Sequence, residues 1–390
     1  MLGKGKRSDS TFNLKAINII AFDVPFPANY GGVIDVFYKI KSLHQAGIKI
    51  HLHCFEYGRG QQKELDKYCE SVTYYKRQTG TSSMLSNLPY IVKSRTSKTL
   101  KLNLLSNNFP VLFEGLHCCF LLDDPDFKER YKIVRAHNVE HDYYAHLAKN
   151  ETHKVRQQYY RSETRKLRKF EKIIQHADLC LTISENDLIH FQETYPKLNC
   201  MLVPAFHQSD SVNIKEGLGD YVLYHGNLSV NENQKALEFI VDNVFNKLDI
   251  PLVVAGLNPD KNSLKLVDKY SHVRLIENLS DKDLNHLIAN AQINFLYTAQ
   301  ATGLKLKLLN ALHNGRHCVV NSKMVVNSDL ATCCEVEDQV KPLRVIMKDL
   351  MVKPVSEKSI ARRKKVLKRY TNQHLADSII HQLENVKAWK

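Results

Sequence analysis

The chain has 390 residues, of which 43% are hydrophobic and 25% charged, so it has room for two folded domains of ordinary size. It contains no run of about 18 apolar residues, which argues against a membrane-spanning helix. The formal net charge of +14 indicates an anionic partner, but no zinc-finger, helix-turn-helix or RNA-binding signature favours nucleic acid.

The cysteines carry information about compartment and metal. There are nine, an odd number, and they form no CxxC pair and no Cys/His spacing typical of a metal site. Several lie inside apolar, strand-like runs. We therefore expect reduced, mostly buried thiols in a cytoplasmic protein, and no structural zinc site.

The chain begins with a basic stretch and then a strand–turn–helix pattern. Residues 1–15 lack the apolar core of a signal peptide and are predicted to be a disordered lead-in. A strand at 16–22 runs into a proline-rich loop that ends at Gly31 and Gly32, and a helix follows. The glycine pair would let backbone amides approach a ligand closely, with a simple tight turn as the alternative. The full GxGxxG fingerprint is missing, so a dinucleotide is not favoured.

Two segments of the first half combine apolar residues with cations. Residues 81–110 carry Lys93, Arg95, Lys98 and Lys101 beside leucine, isoleucine and valine. Residues 153–178 read as one helix, with eight Lys or Arg against two Glu between 153 and 172. Either segment could rest on anionic lipid, and the alternative for both is an ordinary solvated surface.

Residues 131–148 begin as a strand and end in a cluster of polar residues. The cluster contains Arg135, His137, Asn138, Glu140 and His141. Sites collect at such strand ends. A metal is not predicted, since both histidines would have to leave the loop in the same direction. His137 is either a site residue or a cap for the next helix.

A second α/β series follows a polar, glycine-containing stretch at 205–220. From Tyr221 onwards strands alternate with helices, which predicts a parallel sheet. The last stretch of the chain reads as helical, with Leu375, Ile379 and Leu383 on one apolar face.

The most informative stretch runs from Ile293 to Asn321, INFLYTAQATGLKLKLLNALHNGRHCVVN. It predicts a strand, a polar turn, a helix between Gly303 and Gly315, and another strand. Ligands of open α/β sheets lie beyond the carboxyl ends of the strands, where helix N-termini point amides outward. Lys305 and Lys307 would add positive charge there, and Asn310 lies one turn further on the same face. The stretch therefore predicts a diphosphate site, with an ordinary crossover helix bearing solvated lysines as the alternative.

This helix resembles the donor-nucleotide helix of the retaining glycosyltransferases of family four. The stretch His137-Asn138-Val139-Glu140 and the turn Gly226-Asn227-Leu228 are also similar to family motifs. Thr302 and Asn310 stand where the family has two glutamates, so both carboxylates are missing. The resemblance implies the α/β fold called GT-B, in which two Rossmann-like parallel-sheet domains face each other across a cleft and the C-terminal helix crosses back to the N-domain.

The resemblance also divides the chain and assigns residues. It implies an acceptor domain at 16–204, a linker at 205–220, a nucleotide-sugar donor domain at 221–365 and a returning helix at 366–390. It implies catalytic roles for His137, Lys307 and Thr302. It implies donor binding by Gly31, Gly32, Gly226, Asn227, Lys235, Glu277, Asn278, Gly303, Leu304, Lys305 and Asn310. Lys235 and Lys307 would neutralise the phosphates because Asn227 replaces the usual cation.

The implied activity is a metal-independent, retaining glycosyltransferase that needs no cofactor besides its nucleotide-sugar substrate. It would pass the sugar to a cell-surface glycan such as lipopolysaccharide, carried on a lipid at the inner face of the membrane. Because the carboxylates are missing, a non-catalytic GT-B protein that binds a glycan or a partner is the main alternative. A sugar-nucleotide epimerase would need the carboxylates that the helix lacks, and a nucleic-acid binder is the least favoured.

Overall fold

The computed structural model describes residues 15–80, 83, 86–299 and 306–389. Apart from Lys15, the predicted lead-in lies outside the described residues. The described chain divides into two compact units. The first unit contains the residues up to Thr182, Asp187–Val203 and the residues from Ala376 onwards. The second contains Ile183–Asn186 and Pro204–Leu375.

A parallel sheet forms the centre of the first unit. Its described strands are β1 (Ala16–Ala21), β2 (Lys49–Glu56), β3 (Ser71–Lys76), β4 (Val111–Glu114), β5 (Lys132–Ala136), β6 (Leu179–Thr182) and β7 (Cys200–Leu202). Their order in the sheet is β3-β2-β1-β4-β5-β6-β7. In β1, Ile19 is aligned with Leu52 of β2 on one side and with Leu112 of β4 on the other. All three are fully buried, as expected for a parallel sheet covered on both faces.

Helices connect these strands. They are α1 (Gly31–Gln45), α2 (Tyr90–Lys93), α3 (Lys98–Leu104), α4 (Glu140–Asn150), α5 (Lys154–Phe170) and α6 (Glu185–Thr194). Helix α1 buries Val33, Val36, Phe37 and Ile40, because these apolar residues recur at helical spacing on one face.

The second unit contains another parallel sheet. Its described strands are β8 (Val222–Asn227), β9 (Leu252–Leu257), β10 (Val273–Glu277), β11 (Ile293–Leu296), β12 (His317–Val320) and β13 (Glu335–Val336), in the order β10-β9-β8-β11-β12-β13. Its described helices are α7 (Asn231–Phe239), α8 (Lys261–Val267), α9 (Asp281–Asn290), α10 (Leu306–Asn314), α11 (Val340–Met351) and α12 (Glu357–Leu367). The last helix, α13 (Asn372–Asn385), starts in the second unit and belongs to the first from Ala376 onwards. The core of the second unit joins strand residues such as Val254 and Phe295 to Leu237 of α7 and Met347 of α11.

Several local predictions were wrong in detail. Gly31 and Gly32 are the first residues of α1 rather than part of the preceding loop. A Cβ atom at Gly32 would come within 2.6 Å of the Phe22 ring, so close packing explains this glycine. The predicted helix at 153–178 ends at Phe170 and continues as a 3₁₀ turn to His176. The helical tail is broken between α12 and α13.

Two of the four cations in the segment at 81–110 have partners within the described part of the protein. Arg95 is buried, and its guanidinium donates hydrogen bonds to the carbonyls of Phe22 and Ile91. Lys101 forms ion pairs with Asp124 and Asp126, both at 2.7 Å. These two charges therefore take part in contacts within the fold, and contact of the segment with anionic lipid stays a prediction.

In the described part of the chain, no helix is both long and apolar enough to cross a lipid bilayer. All nine cysteines fall within this part, and each is a free thiol.

Candidate functional site

In each sheet the strand order reverses direction at one point. The reversal lies between β1 and β4 in the first unit and between β8 and β11 in the second. Crevices at such switch points, outside the carboxyl ends of the strands, are the usual ligand sites of open α/β sheets. The two edges are therefore described in turn.

The edge of the first unit contains a buried network of charges. Asp35 and Lys39 lie on α1, Glu114 ends β4, Arg135 belongs to β5 and His137 follows it. Arg135 donates two hydrogen bonds to Asp35, one from Nε to Oδ2 at 3.0 Å and one from Nη2 to Oδ1 at 2.8 Å. Lys39 Nζ lies 3.0 Å from Asp35 Oδ2 and 2.6 Å from Glu114 Oε1. Two carboxylates thus face two permanent cations inside the protein.

Electrostatic pairing keeps both carboxylates ionised. Burial alone would raise the pKa of Asp35, but the charges of Arg135 and Lys39 outweigh it and hold the pKa well below its usual range. Burial likewise opposes ionisation of Glu114, and Lys39 together with His137 lowers its pKa. Such a network is stable only while every member keeps its partner.

His137 is the member of this network that reaches towards the surface. Its Nε2 lies 3.0 Å from Glu114 Oε2 and 3.9 Å from Asp35 Oδ2. The Phe22 ring meets it edge-on, with 5.3 Å between ring centroids. Since an ionised carboxylate only accepts hydrogen bonds, Nε2 carries the proton, and a neutral ring has its lone pair on Nδ1. His137 therefore bonds to Glu114 rather than capping α4, whose first residue is Glu140.

Two neighbouring titratable side chains were missed by the sequence analysis as a pair. His117 Nδ1 lies 4.0 Å from Glu140 Oε1, and both side chains are buried or nearly so. Burial raises the pKa of Glu140 to about 8 and lowers the pKa of His117 well below its usual value. Both groups are therefore uncharged at neutral pH, and they add polar but neutral groups near His137.

Three side chains at this edge are close enough to form a metal-ligand set, but the buried cations beside them oppose the binding of a metal ion. One ligand atom from each of Asp35, Glu114 and His137 lies within 4.8 Å of the others. The carboxylates are already neutralised by Lys39 and Arg135, both fully buried. A cation would have to displace these charges, so this cluster is best described as an ion-pair network.

At the edge of the second unit, Lys307 lies on α10 beside β8. Its Nζ is 5.8 Å from the centre of the Tyr224 ring, within reach of a cation–π contact. The next residue of β8, His225, is fully buried. Burial, together with the charge of Lys307, lowers the pKa of His225 to about 3. Lys307 is thus placed at the switch point, next to the first turn of this unit.

That turn is fixed by its own hydrogen bonds. The side-chain oxygen of Asn227 accepts from the Ser229 amide at 3.0 Å and from its hydroxyl at 2.8 Å, and the Asn227 carbonyl accepts from Asn233 Nδ2 at 2.9 Å. A Cβ atom at Gly226 would lie 3.2 Å from the Asn233 side chain. Asn227 therefore shapes the turn, and donor binding by Gly226 and Asn227 stays a prediction.

Asn310, at the position of the second family glutamate, is part of an amide chain. Its Nδ2 donates to Asn285 Oδ1 at 2.8 Å, and its Oδ1 accepts from Asn314 Nδ2 at 2.7 Å. Both ends of the side chain thus have partners within the unit. Thr302, Gly303, Leu304 and Lys305 lie outside the described residues, so their predicted roles remain predictions.

The other predicted donor residues lie at two places. Glu277 ends β10, and Asn278 follows with a positive φ of 51° while its Oδ1 accepts from the Asn258 amide at 2.8 Å. Lys235 lines a groove of about 460 Å³ between α7 and α8, together with Asp260 and Lys265. Lys307, by contrast, lies beside the Tyr224 ring and close enough to His225 to affect its pKa. A joint role for Lys235 and Lys307 at one diphosphate therefore stays a prediction.

The sequence did contain a signal for the missed network. Asp35 and Lys39 interrupt the apolar face of α1 one turn apart, and Glu114 ends a strand of buried apolar residues. Charged residues at core positions are almost never left unpaired. The partners themselves could not be assigned, because Asp35 and Arg135 are 100 residues apart.

Comparisons with known proteins agree with this architecture. Residues 219–351 match the family model "Glycosyl transferases group 1". An uncharacterized 44.6 kDa protein in the cps region of Klebsiella pneumoniae is 26% identical over 327 residues, which is 78% of this chain and 82% of that protein.

Solved structures with 12% identity or less share the fold. Anabaena HepE, solved in complex with UDP and glucose, has a TM-score of 0.64 and 9% identity, covering 95% of this chain and 99% of that one. WaaG, a glycosyltransferase involved in lipopolysaccharide biosynthesis, has a TM-score of 0.56 and 12% identity, covering 93% and 95%. The two parallel-sheet units and these solved structures show the GT-B fold, and the match to the group 1 glycosyltransferase model lies in the second unit.

Proposed function

We propose that this protein transfers a sugar from a nucleotide-sugar donor to a growing cell-surface glycan, with retention of the anomeric configuration. The observation that carries the proposal is the position of Lys307, which lies at the switch point beside Tyr224 and within the family-matched region. The UDP and glucose in HepE and the glycan pathway of WaaG support a nucleotide-sugar donor and a glycan acceptor.

The proposed reaction needs neither a metal nor a further cofactor. The acceptor hydroxyl forms a bond to the anomeric carbon while the bond from that carbon to the donor phosphate breaks. The acceptor proton passes to the leaving diphosphate on the same face of the sugar. Lys307 stabilises the negative charge that develops on the diphosphate. His137 accepts a hydrogen bond from a sugar hydroxyl at Nδ1 while Glu114 holds its Nε2.

We further propose a lipid-linked acceptor and a position at the cytoplasmic face of an anionic membrane. Helix α5 supports the membrane proposal because its sequence is rich in Lys and Arg and many of its residues are exposed. Flotation with liposomes tests it. The protein should rise with vesicles that contain anionic lipid and stay at the bottom with neutral ones, and equal behaviour would contradict the membrane proposal.

A nucleotide-binding experiment tests the donor site. UDP, GDP, dTDP and CMP would be compared by thermal shift on the wild type, on Lys307→Ala and on the control Lys323→Ala, an exposed lysine of the same unit. A nucleotide at ~100 times its Kd should stabilise the wild type by roughly 2.7 kcal/mol. The stabilisation should be lost in Lys307→Ala and kept in Lys323→Ala. If no nucleotide stabilises the wild type, the donor-site assignment is wrong.

A non-catalytic GT-B protein that binds a glycan or a partner is the second candidate. One observation favours it: both ends of the Asn310 side chain bond within the unit, where the family glutamate would face the donor. Incubation with the stabilising nucleotide-sugar separates the candidates. Transfer or slow hydrolysis supports the enzyme, and NMR of the product anomer then tests retention. Binding without any turnover supports the second candidate.

A further inference from the structure

A second cluster of metal-ligand side chains in the first unit shares no residue with the charge network of Asp35. His141 belongs to the first turn of α4, Glu171 begins the 3₁₀ turn after α5, and His190 lies on α6. One ligand atom from each lies within 4.8 Å of the other two. Three separate segments of the chain therefore converge on one point.

The atoms that face each other are those that ligate metals. His141 Nδ1 lies 2.9 Å from Glu171 Oε2, and His190 Nε2 lies 3.1 Å from Glu171 Oε1. Zinc bonds of about 2.0–2.2 Å in tetrahedral geometry place ligand atoms roughly 3.4 Å apart. Both imidazole–carboxylate distances are close to that spacing, and one ligand atom from each residue lies within 4.8 Å of the others, so side-chain rotations would let them share one ion.

The surroundings supply the outer contacts that metal ligands need. The second ring nitrogen of His141, Nε2, lies 3.4 Å from Asp142 Oδ1, which is the carboxylate–histidine arrangement that orients a ligating imidazole. The Tyr195 hydroxyl donates to Glu171 Oε1 at 3.3 Å and holds the carboxylate in place. Asp142 and Asp187 add negative potential at His190, which favours a cation.

A comparison with the Asp35 network shows why only this cluster suits a metal. Around Asp35 and Glu114, buried Lys39 and Arg135 already balance the carboxylates. Around Glu171, the partners given by the structure are two imidazoles and a phenol, none of them permanently charged. The His190 side chain is 25% exposed, while His141 and Glu171 are 8% and 3% exposed. An ion can therefore enter from the His190 side.

We propose that His141, Glu171 and His190 form a binding site for a divalent transition metal, with zinc the best match. Two imidazoles and one carboxylate are a common zinc donor set, and water from the His190 side would complete the tetrahedron. The ion would tie α4, the 3₁₀ turn and α6 together. The sugar-transfer reaction proposed above uses none of these residues, so the two proposals fail independently.

The test measures metal binding by the full chain after treatment with a chelator. Isothermal titration with Zn²⁺ should give one site on the wild type. His190→Ala should lose that site, and Asp142→Asn should weaken it by about 10–100-fold. His176→Ala removes an exposed histidine of the same region and should bind zinc like the wild type.

A spectrum identifies the ligands. Co²⁺ at the site should give the intense d–d bands of a four-coordinate ion without a thiolate charge-transfer band, and these bands should be missing in His190→Ala. His190 is partly exposed, so this variant should fold, and circular dichroism checks that it does. Zinc binding that is unchanged in His190→Ala, or a cobalt–thiolate band, would overturn the proposal. Chelation should leave nucleotide stabilisation unchanged.

Discussion

The carboxyl edges of the two sheets have the same topology and opposite chemistry. In the first unit the edge contains ionised, fully buried side chains. The carboxylates of Asp35 and Glu114 form ion pairs with Lys39 and Arg135. In the second unit the contacts described at the edge are mostly made by neutral amides, such as those of Asn227, Asn278 and Asn310. The first edge is thus fixed mainly by charge pairing, and the second mainly by short-range hydrogen bonds between amides.

Breaking the charge network should have the largest effect on the first edge. Arg135→Met removes both hydrogen bonds from the guanidinium to Asp35 and the hydrogen bond to the Val203 carbonyl. We expect a loss of about 3–5 kcal/mol in the free energy of unfolding, because a buried charge loses its partner. Chemical denaturation measures this loss.

An exposed ion pair provides the control for that measurement. Lys15 pairs with Glu384, and both side chains are about two-fifths exposed. Lys15→Ala should change the stability by less than ~1 kcal/mol, since exposed pairs contribute little. If both variants lost the same amount, the first edge would not depend on its buried charges.

His137 should matter for activity more than for stability. His137→Asn keeps an amide that can donate to Glu114 but removes the imidazole lone pair on Nδ1. We expect kcat to fall by roughly 10²–10³-fold, as when one preorganised polar group is removed from an active site. Nucleotide stabilisation should stay as in the wild type. An unchanged kcat would assign His137 to the ion-pair network alone.

The amide chain of the second edge should respond more weakly. Asn310→Ala removes the hydrogen bonds to Asn285 and from Asn314, each of which contributes roughly 0.5–1.5 kcal/mol. We expect a loss of about 1–2 kcal/mol, and the double variant with Asn285→Ala should show coupling between the two sites. Strictly additive losses would mean that the Asn310–Asn285 bond adds nothing to stability.

The smallest effect at neutral pH concerns His225. Burial and Lys307 lower its pKa to about 3, whereas the unfolded chain has the ordinary value of 6.5. Between these values the unfolded state binds a proton that the folded state does not, so stability falls as the pH decreases from 6.5 towards 3. His225→Gln should flatten this fall in stability curves measured at several pH values. The same slope in the variant would contradict a neutral His225.

The sequence allowed most of the fold to be predicted, for physical reasons that differ along the chain. Strands such as Ile293–Leu296 are continuous apolar runs, and a buried parallel strand needs little else. The start of α1 was misplaced because Gly31 and Gly32 look like loop residues, while the reason for Gly32 is the Phe22 ring packed against it. Local patterns cannot reveal a contact of that kind.

The candidate site was less predictable. His137 and Lys307 were predicted as site residues because they follow strand ends in motifs that resemble the family, and their roles stay predictions. Their settings were not foreseen, since Glu114 and Tyr224 lie far from them in sequence. The sequence analysis considered only His137 and His141 as a metal pair, whereas the fold brings His141 together with Glu171 and His190 from other segments. These contacts could not be predicted because the residues that form them lie far apart in the sequence.

The buried network of the first unit also constrains how this sequence can diverge. Replacing any one of Asp35, Lys39, Glu114 and Arg135 by an uncharged residue leaves a buried charge without a partner, a loss comparable to much of a domain's total stability. A neutral, apolar set of similar volume could be equally stable, but no single-step path leads to it. We therefore expect homologous chains to keep the four residues together or to have exchanged all of them.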